Sequence, residues 1–504
     1  MAQTYNKGLS PISLRIAKLN ESTASSQSKA PEKSPARQIG KHVLRYTIFA
    51  LVSVATIYGG AHLYVEHVQM APETDHEVKK WEWDLINNNW TGEPVKGGTS
   101  PALGFRARHI IRAAFASYNH NAPDTTVMVE ETTPGGNSSN NQTKAIHVVD
   151  ARLYETERHL RNAILLIKEK LSKNGLGSHA FAMLLLRHAG ILEQLGHDVH
   201  ISLAKEEYEC AWQYCTTPQY QEFIAWKLGD LNSRLGHNNE AIQWWNKSIQ
   251  LIQESSQGSV DVSTGNQLIP HSPLAQRILA SILVSKSSHL AASGNFEEAQ
   301  ALEESALHFL RSIRHPDSIS ATSSPQALHA LYLLQRSSLL SIHQAEVLHA
   351  QRRPLNTSIQ WLSSAAESSE RVVQILTGTK SDSPSTSDRS NPSIYSKNIA
   401  ELLPVYTDSS SMNTPARALL RDARRTAAEA WNMMGILHEK RDGTGSRPAL
   451  ECFERAVIWA GTVEGKNQSV GPAKDTLHSD WHIYWSNYQR AKNIQASNPN
   501  DAPE

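Results

Sequence analysis

The side chains that most often bind metals or form disulfides are spread through this sequence without a recognisable spacing. The three cysteines, Cys210, Cys215 and Cys452, show neither C-x-x-C spacing nor a paired Cys/His pattern. They therefore predict neither a structural zinc site nor a disulfide framework. His197 and His200 lie close together in the stretch HDVH, but no further ligands flank them, so we interpret both as solvated side chains.

The short motifs that mark common catalytic sites are also absent from the sequence. It contains no P-loop, no H-E-x-x-H and no G-x-S-x-G, and the glycine pair in NGLGS near Gly175 follows no predicted strand. The 49 basic residues balance 49 acids, and this net charge of zero removes whole-protein basicity as an argument for nucleic-acid binding. We therefore predict a protein that is not an enzyme and uses no cofactor, metal, nucleic acid or small-molecule substrate.

One apolar stretch stands apart from the otherwise polar chain. Residues 46–64, YTIFALVSVATIYGGAHLY, carry no charged side chain, and His62 is the only group there that titrates near neutrality. At about 1.5 Å per residue a helix of this length reaches roughly 28 Å, close to the hydrocarbon thickness of a bilayer. Tyrosines at both ends are typical of interfacial anchors. The stretch predicts a transmembrane helix, and a buried core helix or a signal-peptide core is the alternative.

The charges on either side of this stretch predict its orientation. Residues 1–45 form a basic tail, predicted to be disordered, with eight lysines and arginines against two glutamates, a balance of +6. The segment from Glu66 to Asp84 carries six acids and two lysines. Because basic flanks stay on the side from which a helix inserts, the N-terminus is expected to stay there and the rest of the chain to cross.

The basic tail also resembles a mitochondrial transit peptide. It is rich in Ser, Lys and Arg, and Ile12, Ile16 and Leu19 share a helical face opposite Arg15 and Lys18. Together with the apolar helix, this predicts an inner-membrane protein with its N-terminus in the matrix and its body in the intermembrane space. The alternative is a type II membrane protein of the secretory pathway, with which the seven N-x-S/T sequons are compatible.

A tryptophan-rich juxtamembrane segment follows, and with a flexible linker it fills residues 65–147. Trp81, Trp83 and Trp90 lie close together in EVKKWEWDLINNNWTGE. Such indoles either dock at the headgroup level or on a neighbouring membrane protein, or they pack against the body of the same protein. The composition of residues 120–146, which include TTPGGNSSNNQ, predicts the linker.

Pairs of helices then recur, with apolar residues three and four positions apart. In WKLGDLNSRLGHNNEAIQWWNKSI, Leu228 and Gly229 mark a close contact between two helices, Gly236 ends the first, and Ala241 and Trp245 lie on the facing side of the second. This unit resembles the tetratricopeptide repeat. A second good match spans residues 430–456, and less regular ones span residues 188–212, 290–307 and 344–366.

These units predict an all-α, tetratricopeptide-like α-solenoid of about five divergent helical pairs over residues 148–460. A loop and a capping helix are expected over residues 461–492, and a disordered C-terminus over residues 493–504. Such a solenoid has a concave groove that binds peptides or partner helices. The repeat register places Trp226, Asp230 and Arg234 on the inward side of one first helix, and we predict that they contact a protein partner.

The combination of a transit-like tail, one transmembrane helix and a divergent repeat body resembles the fungal mitochondrial i-AAA protease adaptor family. Members of that family expose tetratricopeptide-like repeats to the intermembrane space and help deliver substrates to a membrane-bound ATP-dependent protease. The resemblance implies a non-enzymatic substrate adaptor. Its partners would be an AAA protease complex and unfolded or misfolded client proteins.

Two other functions stay open for a membrane-anchored repeat protein. An outer-membrane import receptor of the tetratricopeptide type holds chaperone C-termini with Lys and Asn on its first helices. Asp230 in the predicted groove would repel such a carboxylate, which disfavours this function. A scaffold or assembly factor for respiratory-chain complexes has no sequence feature that separates it from an adaptor.

Overall fold

A computed structural model describes residues 35–87, 90–92, 97–119, 126–132, 144–174, 178–256, 269–314, 316, 318–379, 401–464, 469–473 and 476–497. The tail with Ile12, Ile16 and Leu19 lies outside the described residues. The helices are α1 (Pro35–Tyr64), α2 (His76–Lys80), α3 (Asp84–Asn87), α4 (Gly104–Asn119), α5 (Ala151–Asn174), α6 (Ser178–Leu195), α7 (Asp198–Tyr214), α8 (Pro218–Arg234), α9 (Asn238–Ser256), α10 (Pro273–Ala292), α11 (Phe296–Ser312), α12 (Ser324–Ala350), α13 (Leu355–Thr377), α14 (Pro404–Thr407), α15 (Ser410–Asp442), α16 (Arg447–Ala460) and α17 (His478–Ser497). The strands are β1 (Thr126–Thr132), β2 (Lys144–Asp150), β3 (Gly461–Glu464) and β4 (Ser469–Pro472).

Helix α1 contains the apolar stretch and continues into a π-helical turn, Val65–Gln69. The hydroxyls of Thr47 and Thr56 donate to carbonyls one turn earlier at 2.8 Å, which satisfies polar groups in an apolar helix. Residues Val43–Gln69 form a helix long and apolar enough to cross a membrane, and none of its most apolar window is buried. The predicted helix over residues 46–64 is therefore present.

From α4 to α16 the long helices pack as consecutive pairs. Among the described residues these are α4/α5, α6/α7, α8/α9, α10/α11, α12/α13 and α15/α16. The first helices of four successive pairs, α8, α10, α12 and α15, also pack side by side. This stack of helical pairs is an α-solenoid and confirms the predicted fold. Its last five pairs coincide with the five units read from the sequence.

The small residues of the repeat pattern lie where helices of a pair meet most closely. A Cβ atom on Gly229 would overlap the ring of Trp245, which is fully buried on α9. Gly435 has the same relation to Phe453 in the last pair. Gly236, with φ of +77°, follows α8 in the left-handed conformation that glycine adopts without strain. The glycines of the repeat pattern thus serve close packing and helix termination.

The structure adds a helical pair whose two helices flank the predicted linker of residues 120–146: α4 precedes it and α5 follows it. Helix α4 places Ala107, Ile111, Ala114 and Phe115 in the core against α5, with spacings of three and four residues that could have been read from the sequence. Strands β1 and β2, inserted between α4 and α5, pair antiparallel from Thr126↔Asp150 to Thr132↔Lys144. Residues 133–143, between these strands, lie outside the described residues.

The end of the solenoid is covered by α17, which packs on α16. Trp481 and Trp485 stack at 5.6 Å between ring centroids, and both are half-buried. A short antiparallel hairpin of β3 and β4 lies between α16 and α17 in the chain. Helix α17 extends to Ser497, into the segment predicted to be disordered, and the last seven residues lie outside the described part of the chain.

Candidate functional site

Charged and aromatic side chains from three first helices meet on one face of the solenoid. The surface that these side chains share is called the inner face. Its members, called the inner-face cluster, are all half-buried: Glu193 on α6, Trp226, Lys227 and Asp230 on α8, and Tyr332 and Arg336 on α12. The pairs α6/α7, α8/α9 and α12/α13 therefore contribute to one surface.

Lys227 is the centre of one half of this cluster. Its Nζ donates to Glu193 Oε2 at 2.7 Å, and the Tyr208 hydroxyl donates to the other oxygen of the same carboxylate at 2.5 Å. The Lys227 ammonium also lies 5.0 Å from the ring centroid of Trp226, within cation–π range. Burial lowers the pKa of Lys227, but Glu193 and Asp230 outweigh this effect and raise it. Lys227 therefore stays charged.

Asp230 belongs to the inner-face cluster and also bonds to the second helix of its pair. Its Oδ1 accepts a hydrogen bond from the buried Trp245 indole at 2.9 Å, which ties α8 to α9. Burial raises the pKa of Asp230, and the nearby Lys227 only partly offsets this. Trp226 packs edge-on against Phe223 at 5.7 Å, whereas Arg234 is exposed at the end of α8. The structure thus places Trp226 and Asp230 in one cluster and leaves Arg234 at its edge.

Tyr332 and Arg336 form the other half of the cluster. The Arg336 guanidinium lies 4.6 Å from the Tyr332 ring centroid and donates to the Tyr332 hydroxyl at 3.1 Å. That hydroxyl is 2.8 Å from the Ser281 hydroxyl on α10. Burial lowers the pKa of Arg336, but Tyr332, Asp422 and Asp230 together raise it. Since Asp230 is on α8, the charges of α8 and α12 interact across the inner face.

A second polar cluster, inside the solenoid, contains a serine between an acid and a histidine. Ser287 Oγ donates to Glu303 Oε1 at 2.6 Å and lies 3.4 Å from His343 Nδ1. Burial raises the pKa of Glu303 to about 7 and lowers that of His343 to about 4. In a nucleophilic triad the acid orients the histidine, and the histidine takes the serine proton. Here the acid contacts the serine directly and Ser287 is fully buried, so we assign this cluster to packing.

Residues 70–87, called the strap, cross the beginnings of the first helices in reverse order. Near its start, Glu73 Oε2 accepts from the Ser411 hydroxyl at 2.9 Å, at the first turn of α15. Further along, Glu77 Oε2 accepts from the Ser323 hydroxyl at 3.3 Å, just before α12. A carboxylate at a helix N-terminus is favoured by the exposed N–H groups and the helix dipole.

The second half of the strap continues to α10 and α8. Glu82 Oε2 accepts from the Ser272 hydroxyl at 2.5 Å and from the Leu274 backbone N–H at 2.8 Å, so it caps α10. The Tyr220 hydroxyl on α8 then donates to the Leu85 carbonyl at 3.0 Å. The strap therefore joins four successive repeats, all of which are far from it in the sequence.

Trp83 fixes the strap in the core. Its side chain is 3% exposed, and its indole N–H donates to the Pro325 carbonyl at 3.0 Å. The Arg277 guanidinium stacks 3.9 Å from the Trp83 ring and donates to the carbonyls of Trp81 and Glu82 at 3.0 and 2.9 Å. Burial lowers the pKa of Arg277 to about 10, so it remains protonated at neutral pH.

The other two indoles of the juxtamembrane segment also contact the body. Trp90 is 3% exposed and packs edge-on against Phe115 at 5.2 Å, with the Arg187 guanidinium 4.1 Å from its ring. Trp81 is half-buried beside His329, at 5.1 Å between ring centroids. Of the two alternatives for Trp81, Trp83 and Trp90, docking or packing against the body, the structure shows packing for Trp83 and Trp90, which the body buries.

The histidine pair considered in the sequence lies at the start of α7. The rings of His197 and His200 are 5.7 Å apart. Within the described ranges, no group of three or more His, Cys, Asp or Glu side chains is arranged to hold a metal ion. The described cysteines are Cys210, Cys215 and Cys452, all in the thiol form.

Comparisons with known proteins find no family, and two solved structures that resemble the chain are distant from it. No protein-family model and no curated protein matches the sequence. BtubC from P. vanneervenii is similar at 14% identity and a TM-score of 0.31, covering 62% of this chain and 94% of BtubC. A signal-transduction ATPase from Pyrococcus horikoshii with a tetratricopeptide repeat sensor is similar at 10% identity and a TM-score of 0.28, covering 69% of this chain and 46% of that one. At these TM-scores the two similarities support no conclusion, and the fold assignment depends on the helices described above.

Proposed function

We propose that this protein is a non-enzymatic, membrane-anchored helical-repeat protein that binds protein partners along its inner face. The observation that carries this proposal is the inner-face cluster, in which half-buried charges and aromatic rings from three first helices converge. Aromatic and arginine side chains in partly desolvated positions contribute most to protein recognition. A polypeptide offers the carbonyl, charged and apolar groups that such a mixed surface binds.

The anchor in this proposal is helix α1. An exposed apolar surface of this length is unfavourable in water but matches the hydrocarbon core of a bilayer. The balance of +6 before it and the acidic flank after it favour an N-terminus in the matrix and a body in the intermembrane space. The secretory pathway is the alternative location.

The more specific role is that of a substrate adaptor for an ATP-dependent protease of the mitochondrial inner membrane. This role is supported by the basic tail, the apolar helix and the divergent repeats, which together resemble the i-AAA protease adaptor family. A scaffold for respiratory-chain assembly is the alternative. Co-purification after mild detergent solubilisation separates the two, because recovery of respiratory subunits without an AAA protease would exclude the adaptor role.

The partner-binding proposal predicts that Trp226→Ala combined with Arg234→Glu weakens partner capture. Loss of the indole surface and reversal of the charge at the edge of the cluster should reduce the affinity about tenfold or more, equivalent to about 1.4 kcal/mol. Capture is measured by quantitative affinity purification of the full chain from solubilised membranes. Circular dichroism of the purified variant establishes that helicity is intact.

A control makes a similar pair of changes on the second helix of that pair, one Trp→Ala and one substitution to Glu. Trp244→Ala combined with Gln243→Glu removes an indole and adds an acid on α9, where Trp244 is half-buried and Gln243 is exposed. This control should retain capture. Equal retention by both double variants, with normal circular dichroism, would place the binding surface elsewhere.

A further inference from the structure

The inner face continues along α10 and α12 to a pocket near the ends of these helices. On α10, the Ser281 hydroxyl lies 2.8 Å from that of Tyr332 in the inner-face cluster, and Ser288 follows about two turns later on the same side of the helix. On α12, His343 has the same spacing from Arg336. A cavity of about 280 Å³ lies between these two helices and the start of α11.

The pocket has apolar walls and opens to solvent. Ala291, Phe296 and Val347 line it, and Val347 is only 1% exposed. Ser288 and Glu346 line it too, and both are exposed. Its volume lies below the roughly 300–1,000 Å³ of sites that hold drug-sized ligands, so a single long side chain is an occupant of suitable size.

The charge that lines the pocket is negative. Glu346 is open to solvent on one side, but the surrounding protein and the carboxylate of Glu429 on α15 raise its pKa to about 7. Burial raises the pKa of Glu429 as well, and Arg425 only partly offsets this. Within the described part of the chain, Glu346 forms no hydrogen bond or ion pair. Its carboxylate therefore faces another acid without a cation of its own.

A third carboxylate lies one layer deeper. Glu303 on α11 is fully buried, and its Oε1 accepts from the Ser287 hydroxyl at 2.6 Å. The other oxygen, Oε2, has no hydrogen-bond partner among the described residues. Glu346 is close enough to help raise the pKa of Glu303. A positive charge in the pocket would therefore be attracted by carboxylates from α11, α12 and α15.

We propose that this pocket binds the lysine or arginine side chain of a protein partner that lies along the inner face. The apolar stem of that side chain packs against Phe296 and Val347, and its cationic end lies near Glu346 and Glu429. An acidic side chain would add to the repulsion, and an apolar one would desolvate Glu346 without pairing it. This inference rests on the proposed binding of protein partners along the inner face.

Fluorescence anisotropy of labelled peptides on the full chain in detergent micelles tests the pocket. The probes are three short peptides in which alanine alternates with lysine, with glutamine or with glutamate. We expect the lysine peptide to bind most tightly, and Glu346→Gln combined with Glu429→Gln to weaken its binding about tenfold. Because these acids repel each other, the double variant should resist urea at least as well as the native chain. Equal affinity for the lysine and glutamine peptides would overturn the proposal.

The matched control removes two acids from the second helices of the same two repeats. Glu367→Gln combined with Glu454→Gln changes exposed side chains on α13 and α16 and alters the net charge by the same amount. The control should bind the lysine peptide as the native chain does. An equal loss of affinity in the two double variants would show attraction by overall charge and would overturn the pocket.

Ala292→Phe tests whether the basic side chain enters the pocket. Ala292 lines the pocket and is exposed at the end of α10, so a ring there fills the space without changing the charge. This variant should bind the lysine peptide several-fold more weakly. A loss of affinity in the double glutamine variant but none in Ala292→Phe would mean contact at the surface only, and would overturn the pocket.

Partner capture by Trp226→Ala combined with Arg234→Glu separates this inference from the proposed function. If that variant loses capture while the lysine peptide ignores the changes at Glu346, Glu429 and Ala292, the pocket is wrong and the partner-binding inner face stands. If that variant retains capture, the partner-binding proposal fails, and the pocket inference fails with it.

Discussion

Replacing Gly229 by alanine is expected to lower the free energy of unfolding by about 1–3 kcal/mol, although alanine is the better helix former. The added Cβ would overlap the Trp245 ring, which is fully buried. That ring cannot move away freely because its N–H is bonded to Asp230 at 2.9 Å. Either α8 and α9 separate or the hydrogen bond is lost. Urea unfolding followed by circular dichroism measures the change.

Gly190→Ala is the matched control for this substitution. Gly190 also lies inside a first helix, α6, but a Cβ there would meet nothing within 4 Å. Removing the flexibility of glycine from a helix should leave the stability unchanged or raise it by up to about 1 kcal/mol. Destabilisation of the same size at both positions would show that Gly229 does not mark the close contact of its pair.

The largest single effect is expected for Trp83→Ala, which should destabilise the body by about 3–5 kcal/mol. The substitution removes a side chain that is 3% exposed, leaves the Pro325 carbonyl without its donor and deprives Arg277 of the ring on which it stacks. Because the strap joins four repeats, its release should also expose residues 70–87 to proteases. Limited proteolysis with mass spectrometry, alongside urea unfolding, measures both effects.

Trp83→Phe separates the role of the ring from that of the indole N–H. Phenylalanine keeps an apolar ring beneath Arg277 but loses the bond to the Pro325 carbonyl, which should cost about 1–3 kcal/mol. The strap should then remain resistant to proteases. If Trp83→Ala were as stable and as resistant as the phenylalanine variant, the strap would not hold the repeats together.

The sequence allowed the repeats to be predicted because each helical pair is a local unit. Gly229 and Trp245 are only sixteen positions apart, and their relation follows from helix geometry. Helix α4 was missed although its apolar spacing is regular, because its partner α5 begins beyond the inserted β1–β2 hairpin. The composition of residues 120–146, rich in glycine and asparagine, was interpreted as a linker before the folded body.

The strap could not be predicted because it depends on contacts between distant positions. Trp83 and Pro325 are 242 residues apart in the chain, and only the superhelix brings them together. Nothing in the local sequence distinguishes an indole that docks on a membrane from one that enters a core. The same holds for the inner-face cluster, where Asp230 and Arg336 interact across an intervening repeat.

The strap gives the acidic flank after α1 a structural role in addition to its contribution to the charge difference. Glu73, Glu77 and Glu82 contribute to the charge difference across the apolar helix, and each also contacts a helix N-terminus. A neutral amide at these positions would therefore alter both topology and stability. Reversal of charge in the basic tail before residue 46 changes the topology signal at positions outside the strap.

In the proposed anchored protein, the side of the membrane on which the solenoid lies decides which protein partners its inner face meets. Protease accessibility of a tagged full chain measures it directly, in intact mitochondria and in mitoplasts whose outer membrane has been opened. We expect the body to be protected in intact organelles and digested in mitoplasts, while the N-terminal tail stays protected in both. Digestion of the body in intact mitochondria, or its absence from mitochondria, would contradict an intermembrane-space repeat protein.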